Sequence, residues 1–122
     1  TFCGMVKCLD EAVGEIVQTL REQKLQDNTI IVFSTDNGGA PSVGGFNYPF
    51  KGEKSTVFNG GVRGPGLINV PPALRAVQRG SQHNQVTHIA DLGVTLLGLV
   101  DRISGNTERL GKYESLGSDL DA

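Results

Sequence analysis

Asp36 and Asn37, adjacent and followed at once by Gly38 and Gly39, are the residues of this 122-residue chain best suited to chemistry. A carboxylate and a carboxamide are hard oxygen donors of the kind that hold calcium or magnesium, and two glycines let the backbone turn sharply behind them. The plainer reading is a Gly-rich turn in which Asp and Asn take their usual turn roles, and these residues alone leave both open. Downstream lie Lys51, Lys54 and Arg63, cations that would suit an anionic, oxygen-rich group such as sulfate or phosphate held near Asp36 and Asn37. The alternative is that they are ordinary exposed cations, and for Lys51 this is favoured. Gly52-Glu53-Lys54-Ser55-Thr56 looks like the end of a phosphate-binding P-loop, but that motif needs glycine immediately before the lysine, where Glu53 stands. His88 could be a ligand or proton carrier, although a histidine at a helix start is more often structural. Cys3 and Cys8 are five residues apart and point in different directions on a helix, so neither a disulfide nor a zinc site is expected.

The element that must position Asp36 is the run Ile30-Ile31-Val32-Phe33. Four apolar residues without alternation predict a buried strand over 29–35 with both faces covered, as in a parallel sheet packed between helices. In open α/β sheets ligands gather just beyond the carboxyl ends of strands, where Asp36 and Asn37 would stand. Before it, Met5, Leu9, Ala12, Ile16 and Leu20 recur at three- and four-residue spacing, widened by Val6, Val13 and Val17, which predicts an amphipathic helix over 3–24. Gln26-Asp27-Asn28 makes the turn between them.

From 36 to 65 glycine is frequent and no period survives. A loop of that length in a compact domain is functional or disordered. Phe46, Tyr48, Phe50 and Phe58 argue against disorder, so an ordered loop over the strand ends is expected. A second short strand, 66–70, is ended by Pro71-Pro72. Residues 73–85 read as a polar surface loop with one helical turn. Ile89, Leu92, Leu96, Leu97 and Val100 then predict a helix over 88–100, with Thr87 as a candidate N-cap and Asp91 in the first turn. From Ser104 onward the chain is polar and without a clear period.

Composition narrows the function classes. Thirteen acidic against eleven basic residues give a net charge of −2, which offers no electrostatic reason for nucleic acid or an anionic membrane as partner. No apolar run approaches the length of a membrane span. The size suits one small domain or part of a larger one. Because the chain does not begin with Met and starts inside a predicted helix, it is expected to be a piece of a longer protein.

Taken together, Asp27 to Gly39, Lys51-Gly52-Glu53-Lys54, Phe58-Asn59-Gly60-Gly61-Val62-Arg63-Gly64-Pro65 and His88-Ile89-Ala90-Asp91 resemble the sulfatase family, and most of all its arylsulfatase B-like branch. Order and spacing agree over about residues 5 to 100, and Leu116 to Leu120 is a fainter echo of the segment that follows. The resemblance implies an alkaline-phosphatase-like α/β fold, a parallel-type sheet flanked by helices, of which this chain is the carboxyl-terminal part. It implies hydrolysis of a sulfate ester by an arylsulfatase or N-acetylgalactosamine-4-sulfatase-like enzyme, with an aryl sulfate or a sulfated glycosaminoglycan as substrate and residence in the lysosome or outside the cell. Carried over residue by residue, it makes Asp36 and Asn37 calcium ligands and Lys54 the contact to the substrate sulfate.

The departures from the family pattern matter as much. Sulfatases attack sulfur with a formylglycine made from the cysteine of a Cys-x-Pro-Ser-Arg motif, but Cys3 is followed by Gly-Met-Val-Lys and Cys8 by Leu-Asp-Glu-Ala. The nucleophile, the remaining metal-binding aspartates and the proton-carrying histidines are therefore expected on an upstream segment, and this chain alone is expected to be inactive. Asn59 stands for a usual glutamate, which unsettles any ion pair of Arg63, Phe58 for a usual tryptophan, and Val94 for a usual proline. Two other readings stay beside the sulfatase: a non-catalytic remnant that binds sulfated glycan or a protein, and a phosphohydrolase of the same superfamily.

Overall fold

The computed structural model describes residues 2–71, 80–106 and 108–109, in two units that divide between Pro71 and Pro72. The expected loop over 73–85 falls largely outside the described residues, and the tail echo at Leu116 to Leu120 falls wholly outside them.

The first unit opens with helix α1, Phe2–Glu22. Its apolar residues share one stripe, and Lys7 pairs with Glu11 one turn away on the solvated side. The helix is closed by a left-handed residue, Lys24, at φ 57. The Lys24 N–H donates to the Arg21 carbonyl at 3.0 Å and the Leu25 N–H to the Leu20 carbonyl at 2.8 Å, the bond pair of a Schellman motif built without its usual glycine. A 3-10 turn at Gln26–Asn28 leads into strand β1, Ile31–Ser34.

β1 pairs with β2, Gly66–Asn69, in antiparallel register: Ile31 lies opposite Asn69, Val32 opposite Ile68, Phe33 opposite Leu67 and Ser34 opposite Gly66. This antiparallel pair occupies one edge of β1, and no parallel neighbour pairs with it among the described residues. Ile31, Val32 and Phe33 are half-buried and Ser34 exposed. Among the described residues, then, β1 is not covered on both faces as its unbroken apolar run predicts, because the two strands meet no second layer there. Between the strands runs a loop with a 3-10 turn at Pro41–Val43 and a single helical turn, α2, at Asn59–Val62.

The second unit contains helix α3, Ile89–Ser104, four residues longer than expected at its carboxyl end and closed by Gly105 at φ 72. Its N-cap is His88, not Thr87. The reason is the position of Asp91, whose carboxylate accepts from the His88 N–H at 2.7 Å, while His88 Nδ1 accepts from the Ala90 N–H at 3.2 Å. Only a cap at 88 puts Asp91 at the third helical position, where a capping box closes.

Candidate functional site

The site grows from the end of β1. The Thr35 N–H donates to the Pro65 carbonyl at 3.1 Å, so the strand pair is extended by one more rung before the chain turns. The Thr35 hydroxyl then bonds the Asn37 carbonyl at 3.1 Å. Asp36 sits on this turn with its carboxylate exposed, and Asn37 beside it is half-buried. Asn37 Nδ2 donates to the Gly38 carbonyl at 2.8 Å, which leaves the carboxamide oxygen as the atom that could meet a cation.

Backbone then packs on backbone. The Gly38 N–H donates to the Gly61 carbonyl at 2.8 Å, and the Gly60 N–H to the Lys51 carbonyl at 2.7 Å. A Cβ on Gly38 would collide with the Gly60 carbonyl, and one on Gly60 with the Gly52 carbonyl. The glycines are thus needed for close approach, beyond any freedom they lend to turning. Next to them Asn47 reaches across the loop: its Oδ1 accepts from the Gly39 N–H at 2.8 Å, and its Nδ2 donates to the carbonyls of Gly39 at 2.9 Å and Gly52 at 3.3 Å.

Lys54 is brought to this turn by its own backbone, since its N–H donates to the Gly39 carbonyl at 3.1 Å. Its local turn is held by Thr56, whose hydroxyl accepts from the Glu53 N–H at 3.0 Å and donates to the Glu53 carbonyl at 2.7 Å. The neighbouring cations are engaged elsewhere. Lys51 Nζ lies 4.3 Å from the centre of the Phe58 ring, and the Arg63 guanidinium 4.8 Å from that of Phe50. Arg63 thus faces a ring. Of the three cations, the Lys54 ammonium alone has no bond, ion pair or ring contact among the described residues.

The Gly39 carbonyl thus ties the backbone of Lys54 to the chain just after the turn that bears Asp36 and Asn37. His88 belongs to the second unit, where it caps α3. Cys3 and Cys8 are free, exposed thiols on α1. For a calcium ion the donor chemistry at Asp36 and Asn37 is right, but two oxygens are a fraction of the six to eight that calcium takes. No cluster of three or more carboxylate, histidine or cysteine side chains exists among the described residues to complete the shell. They fit the ion as one side of its cage. Asn47 and Thr56 are functional residues in the supporting sense that sequence reasoning missed. Their roles depend on which carbonyls the folded loop brings near, and the sequence around them carries no sign of that.

Comparison with known proteins bears on the family of the chain. The family model described as Sulfatase matches residues 1–102. The chain is 36% identical over 100 residues to arylsulfatase J of Mus musculus, an alignment that covers 82% of the chain and 16% of that protein. It is 38% identical over 98 residues to the N-acetylgalactosamine-6-sulfatase of Homo sapiens, covering 77% of the chain and 18% of the relative. To arylsulfatase H of Homo sapiens it is 34% identical over 99 residues, covering 75% and 17%. The chain therefore spans less than a fifth of the length of these relatives. No solved structure matches it.

Proposed function

Given that the chain belongs to the sulfatase family, we propose that it supplies one side of the catalytic centre of a calcium-dependent sulfuric ester hydrolase. The observation that carries this reading is the bond from the Lys54 N–H to the Gly39 carbonyl, 3.1 Å. It ties the loop's uncommitted cation to the turn that bears Asp36 and Asn37. Asp36 would hold calcium through a carboxylate oxygen and Asn37 through its carboxamide oxygen. When bound, the ion supplies positive charge against the sulfate oxygens. Lys54 would donate to a sulfate oxygen and offset the negative charge that grows as the S–O bond breaks. The nucleophile, a formylglycine, would come from sequence outside this chain, since neither Cys3 nor Cys8 begins a Cys-x-Pro-Ser-Arg motif. The names of the relatives favour an aryl sulfate or a sulfated amino sugar as substrate, and residence in the lysosome or outside the cell accords with that reading.

In the complete protein, Asp36→Ala should lower kcat/KM at least about a hundredfold and weaken calcium binding, and Lys54→Ala should cost roughly 10²–10³-fold with calcium binding retained. Unchanged turnover by Asp36→Ala would refute the assignment. Matched phosphate and sulfate esters separate this reading from a phosphohydrolase: faster turnover of the phosphate would favour the latter.

The uncommitted Lys54 ammonium also suits a second reading, a non-catalytic remnant that binds sulfated glycan. Retention of this chain on a heparin or chondroitin sulfate column, lost on Lys54→Ala, would support it, and failure to be retained would count against it.

A further inference from the structure

The site loop holds four aromatic rings, Phe46, Tyr48, Phe50 and Phe58. Two of them are capped by cations, Phe50 by Arg63 and Phe58 by Lys51. The other two stack on each other, with centroids 6.2 Å apart and planes at 27°, and Phe46 is 83% and Tyr48 80% exposed. From these observations we propose that Phe46 and Tyr48 form a stacking platform for a pyranose ring, the sugar that carries the sulfate ester. The inference rests on the reading of Asp36, Asn37 and Lys54 as a sulfate ester site.

The platform is anchored to that site by the residue between its two rings. Asn47 turns its carboxamide inward onto Gly39 and Gly52 while the rings on either side of it turn outward. Gly39 follows Asn37 by two residues, at most roughly 7 Å of extended backbone. A Cβ on Gly39 would lie 3.1 Å from the Phe46 nitrogen, so the start of the platform is packed directly on the turn. A pyranose presents axial C–H groups on its ring face and oxygens at its rim. The electron-rich faces of Phe and Tyr attract the former, and the Tyr48 hydroxyl can donate to or accept from the latter. A sulfate on the rim then falls toward the cation and Lys54 while the ring lies on the platform.

The test uses the complete protein, with an O-sulfated hexosamine methyl glycoside as substrate and inorganic sulfate as competing inhibitor. Inorganic sulfate probes Asp36 and Lys54 but carries no ring. In the Phe46→Ala/Tyr48→Ala double variant, KM for the glycoside should rise about tenfold, on the scale of lost aromatic contacts. The inhibition constant of inorganic sulfate should stay unchanged, and Phe46→Tyr/Tyr48→Phe should restore KM. An unchanged KM in the double variant overturns the platform and leaves the sulfatase reading standing. Equal weakening of glycoside and inorganic sulfate, with a lowered Tm, overturns it too, because the rings would then be packing against the rest of the protein. A wild-type protein that neither hydrolyses the glycoside nor binds inorganic sulfate overturns the sulfatase reading, and the platform with it.

Discussion

One carboxamide, that of Asn47, fixes the geometry of the loop that bears Asp36 and Lys54. It serves a donor at Gly39 and acceptors at Gly39 and Gly52 at once, which requires both an oxygen and an N–H group on one short side chain. Asn47→Ala should destabilise the complete protein by about 1–3 kcal/mol, the cost of leaving a half-buried N–H unpaired, measured by urea unfolding. Asn47→Asp should be no milder, since its second oxygen would face two carbonyls, and a neutral outcome for it would show that the Nδ2 bonds contribute nothing. Asp36, Asn37 and Lys54, the residues proposed for the site, stand out in the sequence by residue type and by the family resemblance. Asn47 does not, because an asparagine among glycines reads as turn material whether or not it spans the loop. Lys51 and Arg63 fall between these cases: their charge was plain, whereas the rings that receive them lie seven and thirteen positions away.

At the level of elements, what is local in sequence was the easiest to read. The three- and four-residue spacing of Met5 to Leu20 marks α1, and the apolar run before Asp36 marks β1. The cap of α3 was displaced by one residue because Thr87 and His88 can both cap, and Asp91 decides between them through a bond to the backbone of His88. The partner of β1 was not legible at all, as register is a matter of long-range pairing. One element boundary carries strain that a substitution can relieve. Lys24 holds a left-handed conformation at φ 57 that glycine adopts without steric cost. Lys24→Gly should therefore leave stability unchanged or raise it by up to about 1 kcal/mol. Chemical denaturation of the complete protein measures this, and a clear loss would mean that the lysine side chain makes contacts beyond the helix end.

At the scale of the whole chain, the apolar surface is out of proportion to what the chain itself covers. No apolar side chain other than that of Pro71 is buried among the described residues. Met5, Leu9 and Ile16 on α1 are half exposed or more, as is Leu67 on β2. A monomeric protein does not normally leave such a stripe to solvent. The proposal that this chain is one part of a larger catalytic domain accounts for it, with the stripe and the strand faces as surfaces for the remainder. The 122-residue chain by itself should accordingly bind a hydrophobic dye and unfold over a broad range. A sharp, cooperative thermal transition of this chain would contradict that expectation.

The two thiols of α1 turn this into something that can be watched. At 100° per residue, Cys3 and Cys8 stand roughly 140° apart around the helix, and the stripe of Met5, Leu9 and Ile16 occupies the wider arc between them. Each thiol borders one flank of that stripe. A nitroxide or fluorophore attached to either, with no residue substituted, would report collision with solvent quenchers from one margin of that stripe. The natural sequence thus carries its own pair of spectroscopic markers for whether α1 is covered.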